Sequence, residues 1–226
     1  MTGTSFDTPR SRFRVPEMGG AAARRYDRLR GTEAQMAQYR RRADQLVAGL
    51  PAGADVLEVA PGPGYFALEM ARRGARVTGL DISPTMVEIA AGHAKEAGLQ
   101  VEFRHGDATK MPFADASFDL VVCQAAFKNF LEPVRALNEM HRVLRSGGLA
   151  VIEDMRHEAT LGDIRAEVRG METPPLTQLL TGAILWGLRR RAKSVSEFFR
   201  IAEASAFGGC SIRTEGIGLE ARLEKP

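Results

Sequence analysis

A glycine-rich turn between an apolar run and a helical pattern is the feature that most constrains the fold of this chain. The run Ala54 to Val59 predicts a short buried strand, which leads into the turn Gly62-Pro-Gly64 and a helix starting near Tyr65. A backbone without Cβ atoms can approach a ligand closely, and the helix that follows presents free N–H groups. The segment therefore predicts an α/β fold with a ligand site at the end of its first strand.

Acidic residues near the ends of the first three predicted strands restrict the kind of ligand. Asp81 ends the second strand, Ala75 to Leu80, where a carboxylate can hydrogen-bond both hydroxyls of a ribose. Glu58, just before the turn, would repel a pyrophosphate but could bind an ammonium group. Asp107, after the third strand, could accept a hydrogen bond from an adenine amine. A ligand with an ammonium, a ribose and an adenine but no phosphate is S-adenosylmethionine.

The spacing of the glycines in the turn is, by itself, also compatible with a dinucleotide cofactor. Gly62, Gly64 and Ala67 form a GxGxxA pattern, which also occurs in dinucleotide-binding turns. Glu58 argues against that class, because a dinucleotide site usually has apolar residues at this point. A dinucleotide oxidoreductase is therefore the least favoured alternative.

Four blocks of the sequence resemble a known family. The blocks are VLEVAPGPGYFALEMARRG, VTGLDIS, FRHGDATKMPFADASFDLVVC and LNEMHRVLRSGGLAVIED. Their order and spacing are similar to those of class I S-adenosylmethionine-dependent methyltransferases, of the type found in ubiquinone and menaquinone biosynthesis. The resemblance covers residues 54–154 and fades outside them, where a substrate would be chosen. From the motif and the resemblance together, the predicted cofactor-binding residues are Glu58, Ala60, Gly62, Gly64, Tyr65, Asp81, Ile82, Met86, Asp107, Ala108 and Gln124.

Alternating strands and helices predict a Rossmann-like α/β fold. The predicted strands lie near 54–60, 75–81, 100–105, 117–123 and 148–154, and the helices between them near 65–73, 84–97 and 131–145. The final segments, Cys210 to Gly216 and Leu219 to Lys225, alternate apolar and polar residues as a hairpin would. The resemblance implies that this hairpin completes a doubly wound, mostly parallel, seven-stranded sheet with an antiparallel last strand.

The N-terminal residues 1–50 are expected to form an arm and a helical extension. The pattern becomes helical from Glu17 to Leu50, and Pro51 follows it. Tyr26 and Tyr39, in this region, could fold over the cofactor as a lid, and simple packing is the alternative.

Residues 51–226 are expected to form the methyltransferase domain, with a helical insertion at 155–193 that caps the substrate site before the final hairpin. The helices predicted in this part lie near 158–170, 175–191 and 194–206. The apolar segment Leu179 to Leu188, with Trp186, is predicted to form a wall of the substrate pocket or, alternatively, a plain core helix.

The catalytic residue stays unassigned by the sequence. The sulfonium is already an activated electrophile, so the protein mainly has to align an acceptor with the methyl group. Lys128 and Asn129 stand where the family often has His-His, which removes an imidazole base from its usual place. The remaining candidates for a catalytic role are His157, Glu153 and Tyr26.

Charge and cysteine content bear on the partner and the compartment. The net charge is only +3, but basic clusters occur in residues 10–42 and at Arg189 to Lys193. No aromatic residues interleave with these arginines as base stacking would require, so a nucleic-acid partner is not expected. Cys123 and Cys210 lack zinc or disulfide spacing, which predicts no metal site and fits a reducing cytoplasm.

Neither a signal peptide nor a membrane partner is expected. The N-terminus is polar and arginine-bearing without an apolar segment, and Leu179 to Leu188 is too short to span a bilayer.

The leading hypothesis is transfer of a methyl group to oxygen, nitrogen or carbon of a small organic acceptor. The alternatives left open are an RNA or protein substrate, and a methyltransferase-like domain retained for binding. A homodimer is an assembly that the sequence leaves open.

Overall fold

The predicted strands form one seven-stranded sheet in the computed structural model, which describes residues 18–171 and 174–226. The strands are β1 (Asp55–Val59), β2 (Arg76–Asp81), β3 (Glu102–His105), β4 (Phe118–Gln124), β5 (Leu144–Met155), β6 (Ser211–Glu215) and β7 (Gly218–Glu224). Their order in the sheet is β3-β2-β1-β4-β5-β7-β6. Strands β1 to β5 are mutually parallel, and β7 is antiparallel to both β5 and β6. The predicted Rossmann-like topology with an antiparallel last strand is therefore confirmed.

Helices connect the parallel strands as the alternation predicts. They are α1 (Gly20–Arg30), α2 (Glu33–Val47), α3 (Tyr65–Arg72), α4 (Pro84–Glu96), α5 (Pro133–Val143), α6 (Leu161–Gly170), α7 (Pro175–Leu188) and α8 (Val195–Glu203), with short 3₁₀ turns at Phe127–Asn129 and Arg189–Arg191. The start of α4 is capped by the Ser83 hydroxyl, which accepts a hydrogen bond from the Met86 amide, and Pro84 stands in its first turn.

The helical pattern of residues 17–50 divides into two helices, α1 and α2. Gly31 and Thr32 separate them, and the Thr32 hydroxyl accepts a hydrogen bond from the Gln35 amide to start α2. A capping side chain offers the first amides of a helix a partner, so a new helix begins here. The predicted N-terminal arm lies outside the described residues.

The predicted boundary between the fifth helix and the fifth strand is wrong. The helix was expected to reach residue 145 and the strand to begin near residue 148, but α5 ends at Val143 and β5 begins at Leu144. Leu144 is fully buried and pairs with Phe118 of β4. The Lys225 ammonium donates to the His141 and Leu144 carbonyls, which satisfies the end of the helix from a distant part of the chain.

Hydrophobic clusters cover both faces of the sheet. In β1, Leu57 belongs to one cluster and Val56 to the other, as the alternation of side chains along a strand requires. Phe198 of α8 lies in the first cluster, and Tyr39 of α2 packs against Phe66 of α3 in the second. Helix α2 is thus packed against the sheet domain, which places the start of α3 close to the N-terminal helices.

Helix α7 is exposed along its whole length. None of its residues is buried, which is incompatible with the core-helix alternative for Leu179 to Leu188. It also contributes no residue to the two cavities described below. Within residues 18–171 and 174–226, no helix is long and apolar enough to cross a bilayer.

Candidate functional site

The turn between β1 and α3 has a backbone that only glycine adopts easily. Gly62 has φ 55° and Gly64 has φ 80°, both in the left-handed region. A Cβ on Gly64 would lie 2.7 Å from the Phe103 ring and 2.8 Å from the Ala90 Cβ. The two glycines therefore bring the backbone and the first turn of α3 close to the carboxyl ends of β1 and β2, as the sequence predicts.

Glu58 is a buried carboxylate with an unsatisfied oxygen. Its side chain lies at the carboxyl end of β1 and is 3% exposed. Burial raises its pKa to about 8, although a hydrogen bond from the Ala67 amide acts in the opposite direction. The Glu58 Oε2 atom has no hydrogen-bond partner among the described residues. Because an orphaned buried acceptor is costly, a cationic donor at this position would fit the site.

Asp81 holds the glycine turn in place. Its Oδ2 accepts a hydrogen bond from the Gly62 amide at 3.0 Å and its Oδ1 accepts one from the Ser83 amide at 2.9 Å. Burial raises its pKa above the usual value for an aspartate. Each carboxylate oxygen has a second lone pair, so the side chain retains acceptors for a ligand hydroxyl.

The other residues predicted to bind a nucleoside lie at the carboxyl ends of β2 and β3. Asp81 pairs with His105 in the sheet, and the Gly106 amide donates to the Asp81 carbonyl, so Asp107 follows directly at this edge. Asp107 is exposed, and its Oδ1 accepts from the Thr109 amide. Ile82 is 44% exposed despite its apolar side chain. An exposed apolar surface flanked by carboxylates suits a base attached to a ribose.

A cavity with about 320 Å³ of empty space, part of it open to solvent, lies at the glycine turn. It is lined by Tyr26, Arg30, Tyr39, Glu58, Ala60, Pro61, Gly62, Pro63, Tyr65, Phe66 and Gln124. It brings together predicted cofactor residues from β1, the turn and β4: Glu58, Ala60, Gly62, Tyr65 and Gln124. The other predicted cofactor residues, Gly64, Asp81, Ile82, Met86, Asp107 and Ala108, do not line this cavity. Met86 is buried beneath the start of α4.

Helix α1 is fastened over the turn by hydrogen bonds. The Tyr65 hydroxyl donates to Asp27 at 2.9 Å, and the Ser83 hydroxyl donates to the Met18 carbonyl at 2.6 Å. The His93 ring stacks on Tyr65 with centroids 4.6 Å apart, and its Nε2 lies 3.6 Å from the Asp27 carboxylate. These contacts place Tyr26 and Arg30 at the cavity. The lid hypothesis named Tyr26, whereas nothing in the helical pattern singled out Arg30.

Two alanines at the site adopt a left-handed backbone. Ala60 follows β1 with φ 57°, and Ala125 follows β4 with φ 55°. The Ala60 amide donates to the Leu80 carbonyl, and the Ala125 amide donates to the Glu153 carbonyl. Non-glycine residues in this region are strained by about 1–3 kcal/mol, and such strain often marks functional sites. The sequence analysis missed Ala125, since an alanine carries no signal for a left-handed backbone.

A second, smaller cavity of about 200 Å³ lies beyond the ends of β4 and β5. Its walls are Phe127, Lys128, Asp154, Met155, Lys193, Phe198 and Leu219. The Lys128 ammonium lies 2.8 Å from Asp154 Oδ1, and the Lys128 amide donates to Asp154 Oδ2 at the same distance. The Lys128 ammonium also donates to the Ala125 carbonyl. The cavity thus combines apolar walls with one buried ion pair.

The three catalytic candidates lie in different environments. Tyr26 lines the first cavity. Glu153, whose pKa is raised by burial, accepts from the Gln124 amide group and forms an ion pair with Arg42. His157 is exposed in the turn after β5 and lines neither cavity. Arg42 was missed because a surface helix with several arginines does not reveal which one turns toward the sheet.

Part of the chain matches a known family of proteins. Residues 57–152 match the family model described as a methyltransferase domain. A demethylmenaquinone methyltransferase of Deinococcus radiodurans is 39% identical over 141 residues, which are 61% of this chain and 58% of that protein. The chain therefore spans less than two thirds of the length of this curated relative.

Solved structures show the same architecture. A putative S-adenosyl-L-methionine-dependent methyltransferase from Methanococcus maripaludis superimposes with a TM-score of 0.70 at 21% identity, over 90% of this chain and 92% of that one. The [4+2]-cyclase SpnF matches with a TM-score of 0.58 at 26% identity, over 77% of this chain and 58% of that one. Residues 57–152 are thus similar to known methyltransferase domains, and the chain has the fold of a putative S-adenosyl-L-methionine-dependent methyltransferase of known structure.

Proposed function

We propose that this chain transfers a methyl group from S-adenosylmethionine to a small organic acceptor. The observation that carries the proposal is the unpartnered Oε2 of Glu58, which is buried in the cavity beside the glycine turn. The α-ammonium group of the methyl donor would satisfy this oxygen with a charge-assisted hydrogen bond. A pyrophosphate at the same place would be repelled, which disfavours a dinucleotide.

The remaining cofactor contacts follow the carboxyl edge of the sheet. With the ammonium at Glu58, the ribose hydroxyls would be held by Asp81, whose second lone pairs are available. The adenine would be held by the exposed side chain of Ile82 and by Asp107 as acceptor of its amine. The remaining residues that we assign to the cofactor site are Ala60, Gly62, Gly64, Tyr65, Met86 and Ala108.

When bound, S-adenosylmethionine supplies a methyl group on a positively charged sulfur. The chain itself binds the donor, excludes water and aligns the acceptor, which can lower a barrier by roughly 7–11 kcal/mol in favourable cases. We assign the acceptor to the side of Gln124 and the second cavity, where Phe127, Met155 and Phe198 give apolar walls. Lys128 is held by Asp154 and the Ala125 carbonyl, so its role is to fix this wall.

The described walls of the two cavities contain no imidazole group. None of the four histidines, all in the described part of the chain, lines either cavity. Glu153 is held by Arg42 and Gln124. The arrangement favours an acceptor atom that needs no imidazole base, and it leaves Tyr26 as the candidate nearest the cofactor.

The acceptor class is proposed from the cavities and from the relatives. The Deinococcus radiodurans relative is named for action on demethylmenaquinone, a small quinone. Apolar walls suit a small organic molecule of this kind. A polymeric acceptor is less favoured, because two arginines of the N-terminal basic cluster already form ion pairs. Arg40 pairs with Glu33, and Arg42 pairs with Glu153 and Glu220.

We place the protein in the cytoplasm, where the free thiols Cys123 and Cys210 would stay reduced.

Titration calorimetry with S-adenosylhomocysteine tests the cofactor site directly. We expect binding by the parent chain and an affinity 10- to 100-fold lower for Asp81→Asn, because the ribose loses a charged acceptor. Asparagine keeps an acceptor oxygen for one of the two backbone amides that Asp81 binds, whereas alanine would leave both the Gly62 and the Ser83 amide without a partner. An unchanged affinity for Asp81→Asn would remove the ribose assignment, and failure of the parent to bind would favour a non-catalytic domain.

Methyl transfer itself has to be measured as product, because a [4+2]-cyclase shares this architecture. Incubation with isotopically labelled S-adenosylmethionine and a panel of quinols, phenols and amines is expected to label one class. Labelling of RNA or protein in a parallel incubation, with none of the small molecules, would contradict the proposed acceptor class.

Helix α1 is proposed to act as the lid of the cofactor site. Asp27→Ala removes the acceptor of the Tyr65 hydroxyl and should raise the dissociation rate of S-adenosylhomocysteine about tenfold, the effect of one charge-assisted hydrogen bond. Stopped-flow displacement measures this rate. Asp44→Ala is the matched control, because Asp44 pairs with Arg73 away from the cavity. Equal dissociation rates for both variants and the parent would exclude the lid.

A further inference from the structure

Helix α7 has a composition that is unusual for an exposed helix. Its 14 residues, PLTQLLTGAILWGL, include no charged side chain. A helix that is apolar on all sides is normally buried in a protein core or in a membrane. Yet α7 has no buried residue in this structure. The apolar surface therefore faces outward with no protein layer over it in the described part of the chain.

One side of α7 packs against the protein, and its half-buried residues are Gln178, Thr181, Gly182, Leu185 and Leu188. Gly182 packs against α6, where a Cβ at this position would lie 4.0 Å from both Ile164 and Val168. Five large apolar residues point away, and their exposed fractions are 69% for Leu176, 71% for Leu179, 57% for Leu180, 62% for Ile184 and 38% for Trp186. At 3.6 residues per turn these five positions fall in one arc of about 160°.

A basic segment continues from the end of this apolar arc. Arg190 and Arg191 are exposed and form no ion pair with any residue in the described ranges. The Arg189 guanidinium lies 3.9 Å from the centroid of the Trp186 ring and donates to the His157 carbonyl. The cationic end of the helix is thus anchored to the turn after β5, while two arginines stay available for a negatively charged surface.

We propose that α7 and Arg190–Arg191 dock this protein on an anionic lipid bilayer, with the helix lying in the plane of the interface. Large apolar residues on one arc, an aromatic residue at its border and adjacent arginines are the elements of an interfacial helix. The 14 residues are too few to span the hydrocarbon core, so the helix lies on the membrane rather than across it. Charge complementarity with the arginines selects acidic lipids.

Peripheral docking departs from the expectation that the protein has no membrane partner. That expectation rested on the length of the apolar segment, which limits spanning but not lying in the interface. Lys193, two residues beyond Arg191, lines the second cavity. If the proposed acceptor site is correct, docking through α7 would bring that cavity close to an apolar acceptor dissolved in the bilayer. The docking itself does not depend on methyl transfer.

The fluorescence of Trp186 offers a direct test, because it is the single tryptophan of the sequence. Vesicles of phosphatidylcholine with phosphatidylglycerol should shift its emission to shorter wavelength and protect it from acrylamide. Vesicles of pure phosphatidylcholine should bind much more weakly. Brominated lipids should quench the emission, which locates the ring at the interface. No emission change and no co-sedimentation with acidic vesicles would overturn the proposal.

Matched variants separate the apolar and the basic contributions. Leu180→Glu combined with Ile184→Glu should lower vesicle partitioning about 100-fold or more, because two side chains lose their apolar burial. Arg190→Ala combined with Arg191→Ala should lower it about 30-fold and reduce its salt dependence. Leu29→Glu is the control, since Leu29 is 62% exposed on α1 and should leave partitioning unchanged. Equal losses for the control and the α7 variants would contradict a specific docking face.

Measurement of S-adenosylhomocysteine binding distinguishes the lipid-docking proposal from the methyltransferase proposal. The α7 variants change only exposed positions, so they should retain the parent's affinity for this ligand and its circular dichroism spectrum. A concentration-dependent blue shift of Trp186 without vesicles, with a dimer in sedimentation, would show that a second copy covers the face and would overturn the lipid proposal. Failure of ligand binding with intact vesicle binding would contradict only the methyltransferase assignment.

Discussion

Replacement of Glu58 by glutamine is expected to weaken binding of S-adenosylmethionine and S-adenosylhomocysteine by about 100-fold. The variant keeps the size of the side chain but removes the negative charge that the ligand ammonium would meet in a buried site. Hydrogen bonds between charged groups contribute roughly 1.5–3 kcal/mol, and a buried location favours the upper end of that range. Titration calorimetry of parent and variant measures the difference.

The pH dependence of the parent provides an independent check on the same residue. The usual Glu58 pKa of 4.5 is raised to about 8 by burial, so at neutral pH the ligand-free protein holds a proton there. A ligand ammonium requires the carboxylate, so binding should release close to one proton. The affinity should rise with pH from about 5 and level off near pH 8, where the ligand's α-amino group begins to lose its own proton. Calorimetry in buffers of different ionisation enthalpy counts the protons.

The free energy of unfolding should fall as pH rises, whereas the ligand affinity should rise. Between pH 4.5 and 8 the folded protein retains a proton that the unfolded chain has released, so the free energy of unfolding falls as pH rises through this interval. The full effect above pH 8 is about 5 kcal/mol for a shift of this size. Glu58→Gln should therefore be more stable than the parent at pH 8 and differ little from it at pH 4.

Glu69 gives the matched control for Glu58. Both carboxylates are 3% exposed, but the Glu69 oxygens are paired with Arg72 and Arg73 on the outer side of α3. Glu69→Gln should lower the free energy of unfolding and leave the ligand affinity within about twofold of the parent. A loss of affinity equal to that of Glu58→Gln would show that the effect comes from disturbance of α3 and not from the ammonium contact.

Among single methyl additions at the site, Gly64→Ala is expected to lower the free energy of unfolding most. The left-handed backbone at φ 80° costs an alanine about 1–2 kcal/mol, and its Cβ would lie 2.7 Å from Phe103 and 2.8 Å from Ala90. Overpacking of this kind costs a further 1–3 kcal/mol. We expect a loss of about 2–5 kcal/mol in urea unfolding, with weaker binding of S-adenosylhomocysteine because the turn must shift.

The variant Gly74→Ala separates the energetic cost of the left-handed backbone from the cost of the close contacts made by an added Cβ. It has φ 87°, close to that of Gly64, but a Cβ there would meet nothing within 4 Å. Gly74→Ala should therefore lose only the backbone contribution of about 1–2 kcal/mol and bind the ligand as the parent does. Equal losses at the two positions would mean that close packing of the turn against Phe103 and Ala90 has no role.

Local sequence signals predicted the parts of the site that depend on chain geometry. The glycines at 62 and 64 indicated a left-handed turn because other residues are strained there, and both adopt it. The alternation predicted a helix near residues 84–97, and α4 begins at Pro84. The boundary at Leu144 could not be predicted in this way. It depends on Lys225, which is distant in the sequence and satisfies the end of α5.

The sequence by itself determined the alternation of strands and helices and the glycine turn, because these depend on short-range periodicity and on backbone sterics. It also supplied the acidic residues from which the methyl donor was predicted. Only the tertiary structure decided which charges are satisfied. It left Glu58 Oε2 without a partner, paired Arg42 with Glu153, and fastened α1 over the turn through Asp27. It also turned the apolar arc of α7 outward. Burial and pairing arise from contacts between residues far apart in the chain, and a local pattern cannot contain that information.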